Sequence, residues 1–180
     1  MTTTKTHSYE ALCRADAGTL ERVLKEGVMP RLEDLAGHEF RGYNVNPSAE
    51  ILRIRKFKKG FYWDPGDSSS MRGYNVKVTQ NGLLNPWIAL LAQGEPIRHA
   101  LYTVFPVRSW ERDNLYPNAL MLDYGEGHNP LWDPSRLLRD YVVQVSADDK
   151  DLLLGKAYLA LGPARVFGGF FVVERYNKVL

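Results

Sequence analysis

The feature that most constrains this fold is a series of short apolar and aromatic segments separated by turn residues. From residue 71 onward we interpret six of these segments as strands, at 71–80, 98–107, 119–124, 138–146, 152–161 and 170–176. Short strands with this spacing are typical of an all-β barrel or sandwich. Turn residues at 146–151 and 162–169 separate the last three segments, which predicts that they pair as an antiparallel meander.

The first third of the chain has helical periodicity instead. Apolar residues recur at helical intervals in segment 8–26, and Pro30 begins a short helical turn that ends at Gly37. Segment 38–45 is the first strand candidate. The asparagine and proline that follow it are typical of a helix start, so the sequence predicts a helix over 47–59.

Length and composition are those of a globular chain. It has 180 residues, of which 44% are hydrophobic and 24% are charged, and this length fits one domain. No apolar run approaches the roughly 20 residues of a membrane-spanning helix, and the first eight residues lack the order of a secretory signal. The one cysteine, Cys13, excludes an internal disulfide and a multi-cysteine metal site. We therefore expect a cytoplasmic location.

The formal net charge of +2 hides an uneven distribution. Of 23 lysines and arginines, five lie in segment 53–59, which leaves 18 against 21 acidic residues elsewhere, a net charge of −3. On the predicted helix this cluster, which begins at Arg53, would contact an anionic membrane surface or an anionic ligand. A solvated helix face is the alternative interpretation. We expect no nucleic-acid partner, because no binding module accompanies the cluster.

Several stretches resemble lipocalin-like (calycin) barrels. Residues 35–42 resemble the entry into the first strand of these families, and segment 47–59 resembles the helical lid of fatty-acid-binding-protein-like barrels and GxWxG-type bacterial domains. Residues 151–155 and 170–175 are similar to the GxWxG-type domains. The resemblance implies a mainly β protein, an antiparallel lipocalin-like β-barrel with N-terminal helices and a short helix after the first strand. It would be a single domain over 1–180, helical in 1–36 and a barrel in 37–180.

The same resemblance implies a central cavity and a small hydrophobic or amphipathic ligand, but no particular reaction. Alternate side chains of 152–161 form one apolar set and one set that contains Lys156 and Tyr158. The second set suits either a ligand cavity or an outer face under the N-terminal helix. Our preferred hypothesis is that three side chains orient an acidic end of the ligand, namely Tyr141, Lys156 and Tyr158. The further candidates for ligand binding are Tyr74, His99 and Arg53.

The alternative hypothesis is a cofactor-free isomerase, cyclase or decarboxylase that acts in the same cavity. Asp123, His128 or Lys156 would then serve as acid or base. Asp123 and His128 belong to one glycine-containing loop that also suits a divalent metal, and His99 suits haem iron, but an ordinary turn and a structural histidine are the favoured interpretations. We expect no metal and no cofactor. The sequence contains no Gly-x-Ser-x-Gly nucleophile elbow and no phosphate-binding glycine loop.

Overall fold

Ten strands account for about half of the residues in the computed structural model, which describes residues 7–108 and 112–179. In chain order they are β1 His38–Asn44, β2 Lys56–Asp64, β3 Asp67–Lys77, β4 Leu91–Ala92, β5 Glu95–Pro96, β6 Arg98–Pro106, β7 Leu120–Asp123, β8 Leu138–Ser146, β9 Asp149–Leu161 and β10 Ala164–Lys178. Eight of them close an antiparallel barrel in the order β1-β10-β9-β8-β7-β6-β3-β2, and β4 pairs with β5 separately. The expected mainly β, antiparallel barrel is confirmed.

The N-terminal segment forms three helices against the barrel. They are α1 Tyr9–Cys13, α2 Ala17–Glu26 and α3 Leu32–Leu35, whereas residues 1–6 of the predicted helical segment lie outside the described residues. The predicted helix over 8–26 is divided because Asp16 caps α2, accepting a hydrogen bond from the Thr19 amide at 3.0 Å. Helices α1 and α2 pack on the outer face of β8, β9 and β10. Leu35 of α3 is buried inside the barrel.

The expected short helix after the first strand is present, but the length predicted for it, 47–59, is the main error of the sequence interpretation. Only α4, Ser48–Ile51, is helical, and strand β2 begins at Lys56. The apolar stripe that suggested a helix is not buried, since Ile51 is 85% exposed. Strand β2 hydrogen-bonds to β1 on one side and β3 on the other. A helix in its place would leave two strand edges open, so barrel closure overrides the local pattern.

The cationic helix inferred from the charge count is therefore wrong as well. Its three lysines, Lys56, Lys58 and Lys59, lie on β2 and are buried. The Lys56 ammonium donates to the carbonyl oxygens of Gly82 and Asn85 at 2.9 and 2.8 Å. The Lys58 ammonium pairs with Glu39 at 3.3 Å. Neither a solvated face nor a broad cationic surface is formed by these lysines.

Side-chain alternation separates two apolar clusters. The inner set of β9 includes Leu153, Gly155 and Ala157, and it belongs to the core inside the barrel. The outer set includes Lys156 and Tyr158, next to the cluster that α1 and α2 cover. The ambiguous set of the sequence interpretation is thus the outer face. At one end of the barrel, called here the open end, lie the connections 45–55, 78–97 and 124–137.

Inside the barrel, Gly73 of β3 allows a close approach between neighbouring strands. A Cβ atom there would lie 2.1 Å from the ring of Tyr102 and 2.5 Å from the backbone oxygen of Gly60. The Tyr102 hydroxyl donates to that same oxygen at 3.0 Å. The position therefore requires glycine, because neither the backbone oxygen nor the hydrogen-bonded ring has room to move.

We predict that Gly73→Ala lowers the free energy of unfolding by about 3 kcal/mol, the upper range for overpacking a core. Urea denaturation followed by tryptophan fluorescence measures the change. The matched control is Gly66→Ala, where the nearest atom would be 3.5 Å away and the change should stay within about 0.5 kcal/mol. Equal effects of the two substitutions would contradict the packing described for Gly73.

Candidate functional site

A cavity of about 1080 Å³ enters the barrel from the open end. Strands β2 and β3 contribute three residues each to its walls, β1, β6 and β8 two each, and β9 and β10 one each, and the connections 45–55 and 78–97 contribute to its rim. Beyond its floor, large apolar side chains occupy the lumen; they are Phe40, Phe61, Met71, Leu153 and Val173. The barrel is thus filled in one half and hollow in the other.

The floor is formed by an ion pair that crosses the lumen. Lys59 lies on β2 and Asp140 on β8, four positions apart in the eight-strand order and therefore on opposite walls. The Lys59 Nζ atom is 3.0 Å from Asp140 Oδ2, and the two side chains are 2% and 5% exposed. Lys59 also donates to Asn75 Oδ1 at 3.2 Å and to the Tyr124 hydroxyl. The Tyr124 hydroxyl in turn donates to Asp140 Oδ2 at 2.8 Å.

Aromatic rings enclose the Lys59 ammonium on its remaining sides. Its Nζ atom lies 4.9 to 5.5 Å from four ring centroids, those of Tyr102, Phe171, Tyr124 and Phe57. The rings attract the cation through their faces but exclude water. Burial lowers the pKa of Lys59, although the Asp140 carboxylate opposes that shift. Burial also raises the pKa of Tyr124 well above its ordinary value, so the phenol remains protonated.

Two polar atoms near the floor have no hydrogen-bond partner among the described residues. They are Asp140 Oδ1 and His99 Nδ1, and both are buried. The two residues line the cavity, and His99 is held by the pairing of β6 with Asn75 of β3. Burial lowers the pKa of His99 and the charge of Lys77 adds to the effect. Both atoms have almost no accessible surface, so a ligand can hydrogen-bond to them only by displacing the side chains around them.

The rim of the cavity has two exposed cationic side chains. Arg53 follows α4 with a φ of 54°, and Lys77 ends β3; both line the opening. Arg55 is engaged differently, because its guanidinium donates to the carbonyl oxygens of Val45 and Asn46 at 3.0 and 2.7 Å. It fixes the connection between β1 and β2. The exposed cations at the rim therefore attract anions, whereas the charges at the floor, those of Lys59 and Asp140, are paired with each other.

Of the candidate residues, His99 and Arg53 line this cavity. The structure brings Tyr141, Lys156 and Tyr158 together, but on the outer face of the barrel. The Lys156 ammonium donates to Glu21 of α2 at 2.7 Å, and the ring centroids of Tyr141 and Tyr158 are 5.8 Å apart. Lys156 attaches α2 to the barrel wall, and all three residues are separated from the cavity by β8 and β9.

The remaining candidates also have protein partners outside the cavity. Asp123 Oδ2 is 2.9 Å from Arg139 Nε, and burial raises the pKa of this carboxyl despite the guanidinium. His128 Nδ1 is 2.8 Å from an Arg72 guanidinium nitrogen.

The Tyr74 hydroxyl donates to Glu39 at 3.1 Å on the outer face, where the ring borders a second cavity of about 390 Å³. Burial, followed by the nearby Glu39, raises the pKa of Tyr74 to about 12.

Sequence reasoning did not single out Lys59, Asp140 or Tyr124 for this site. A signal was present for the first two. On β2, Lys59 alternates with Phe57 and Phe61, and a cation between two aromatic residues of one strand face indicates a buried, partnered charge. Asp140 is similarly placed between two apolar residues at i−2 and i+2. The helix assigned to 47–59 concealed the first pattern.

Other site types find no support within the described residues. No group of three or more His, Cys, Asp or Glu side chains there is arranged to hold a metal ion. In the same ranges, the helices are too short and too polar to span a bilayer.

We predict that Lys59→Met lowers the free energy of unfolding by about 3 to 5 kcal/mol, because it leaves Asp140 charged and unpaired. Adding Asp140→Asn should recover at least half of that loss, since the amide oxygen still accepts from Tyr124. Urea denaturation of the single and double variants measures both values. The control is Lys150→Met, which removes an exposed pair with Asp34 at 3.5 Å and should cost at most about 1 kcal/mol. A double variant no more stable than Lys59→Met would disprove the coupling.

His99 predicts a pH dependence of stability. Its pKa is lower in the folded protein than in the unfolded chain, so the folded state binds fewer protons. Its contribution is complete above the unfolded pKa of about 6.5 and is lost as the pH falls below that value. Chemical denaturation between about pH 5 and pH 8 should show the wild type losing stability relative to His99→Gln on acidification. Parallel curves for the two proteins would contradict a buried neutral imidazole.

Comparison of the chain with protein-family models, with curated proteins and with solved structures finds no match. The barrel itself, closed, antiparallel and eight-stranded, is consistent with a lipocalin-like architecture.

Proposed function

We propose that this protein binds a small amphipathic molecule in the cavity at the open end of its barrel. The observation that carries the proposal is the unpartnered Asp140 Oδ1 atom at the floor of a cavity of about 1080 Å³. An unsatisfied buried carboxylate oxygen costs free energy, and a ligand that donates a hydrogen bond to it recovers that cost. A cavity of this volume accommodates a molecule of ordinary metabolite size.

The lining specifies three parts of the ligand. An apolar body fits against Phe57, Phe171 and Ala157, which face the cavity. A hydroxyl or amide at one end donates to Asp140 Oδ1, because the neighbouring Lys59 is already fully hydrogen-bonded. An acidic group at the other end meets Arg53 at the rim. In this proposal the acidic end of the ligand lies at the opening and not beside Lys156.

Binding within a closed antiparallel barrel also fits the lipocalin-like resemblance of the sequence. The enzymatic alternative assigned acid and base roles to Asp123, His128 and Lys156. None of the three lines the cavity, and each is bonded to a partner on the outside of the barrel. Binding is therefore the function that the geometry supports best.

Isothermal titration calorimetry with three matched probes tests the proposal. The probes are 12-hydroxydodecanoate, which has both polar ends, dodecanoate, which lacks the hydroxyl, and 1,12-dodecanediol, which lacks the carboxylate. We predict that removing the hydroxyl weakens binding about tenfold, the value of a hydrogen bond to a charged acceptor. No measurable binding of any probe, or equal affinities with and without the hydroxyl, would contradict the proposed floor.

The rim is tested with Arg53→Asn, because asparagine tolerates the left-handed backbone at this position. The substitution should weaken binding of 12-hydroxydodecanoate about threefold, as expected for an exposed ion pair, and leave 1,12-dodecanediol unaffected. Arg31→Asn provides the control, since Arg31 is exposed near α3 and away from the open end. An equal effect on both probes would show that Arg53 does not contact the carboxylate.

A further inference from the structure

The amine of Lys59 is a potential nucleophile, a property that ligand binding alone does not use. It lies at the floor of a cavity that has apolar walls, with Asp140 and Tyr124 in direct contact. Lysine amines in such surroundings are the ones that proteins use as nucleophiles toward carbonyl compounds. Lys59 is one of the residues that line the cavity, so a ligand that displaces its present contacts can reach the amine from the open end.

We propose that Lys59 captures a small apolar aldehyde or ketone as a protonated imine within the cavity. This inference rests on the proposed binding function and adds a class of ligand to it, a carbonyl compound whose reactive carbon is at the buried end. The apolar walls would hold the hydrocarbon part as they hold that of any other ligand.

The groups around Lys59 supply the proton transfers that imine formation needs. Asp140 Oδ2, 3.0 Å away, takes one proton from the ammonium and leaves a neutral amine. Tyr124 contacts both Lys59 and Asp140, so its hydroxyl can relay a proton between nitrogen and oxygen. The lowered pKa of Lys59, caused by burial, makes the neutral amine easier to reach than on an exposed lysine.

The reaction is balanced without an oxidant or a reductant. The amine nitrogen forms a bond to the carbonyl carbon, and a proton moves from nitrogen to the former carbonyl oxygen through Tyr124. The carbon–oxygen bond then breaks, the hydroxyl leaves as water with the proton held by Asp140, and the nitrogen lone pair completes the C=N bond. The protonated imine keeps one positive charge. The ion pair with Asp140 and the contacts with the four aromatic rings are therefore retained.

The other buried lysines differ in their surroundings. Lys58 pairs with Glu39, and Lys156 pairs with Glu21, both on the outer face. Lys56 is surrounded by backbone carbonyl oxygens, which stabilise its ammonium and offer no carboxylate to take the proton. Burial lowers the pKa of Lys56 to about 8, so it is the internal competitor that an experiment must distinguish.

Reductive trapping with decanal tests the proposal. The 180-residue protein is incubated with equimolar decanal and cyanoborohydride at about pH 6.5, where exposed lysines remain protonated. Intact mass spectrometry should show one adduct, heavier by one decanal less its oxygen, and peptide mapping should place it on Lys59. Prior addition of excess 12-hydroxydodecanoate should suppress the adduct at least severalfold, because both compounds occupy one cavity.

Two variants and one control complete the experiment. Lys59→Arg keeps the cation but removes the nucleophile, and Lys59→Met with Asp140→Asn removes both charges; each should abolish the adduct. Lys156→Arg on the outer face should trap decanal as the wild type does. Circular dichroism establishes which of the proteins are folded. The wild-type peptide map decides the question even if a variant does not fold.

An adduct spread over exposed lysines, or confined to Lys56, would overturn the proposal. Absence of an adduct on Lys59 in a protein that still binds 12-hydroxydodecanoate would also overturn it, while the proposed function would stand. If the hydroxy acid does not bind either, both proposals fail together.

Discussion

The ion pair between Lys59 and Asp140 is the constraint on which the interior of this barrel depends. It joins strands on opposite walls, so it fixes the width of the lumen at the level where packed core ends and cavity begins. Burying two charges costs several kcal/mol per ion, which mutual attraction offsets only in part. An apolar pair of similar volume would stabilise the barrel at least as well, so the charges are better explained by the cavity they face than by stability.

Strand β2 shows how the alternation of side chains gives neighbouring lysines different surroundings. Lys58 points outward to Glu39 and Lys59 points inward to Asp140, although they are adjacent in sequence. Each has a carboxylate from another strand within hydrogen-bonding distance, which is what allows a charge to be buried. The strand thus carries a cationic sequence without a cationic surface. Arg53 and Lys77, at the rim, supply the positive potential that segment 53–59 as a whole was expected to provide.

The sequence was sufficient for the barrel but not for the site. Strand 138–146 was predicted with its correct bounds because it is rich in β-branched and aromatic residues, although residues 140–144 are all buried and show no alternation of exposure. Segment 53–59 was misassigned because its lysines look solvated unless the partner strands are known, and Asp140 is 81 residues away from Lys59. Tyr141, Lys156 and Tyr158 lie close together on β8 and β9. Which face of the barrel they occupy depends on α2, and no pattern within one strand contains that information.

The position of the site relative to the helices has a consequence for how the cavity opens. Helices α1 and α2 cover the outer wall and α3 closes the far end, so ligand exchange does not require any of them to move. The segment at the entrance is the connection 45–55, which Arg55 holds through three backbone carbonyl oxygens. Ile51, Leu52 and Ile54 are exposed and therefore contribute little to its stability. Arg55 holds the connection together with Asn46, which bonds to the Gly168 carbonyl oxygen and the Phe170 amide, and ligand access is therefore coupled to hydrogen bonds at the rim.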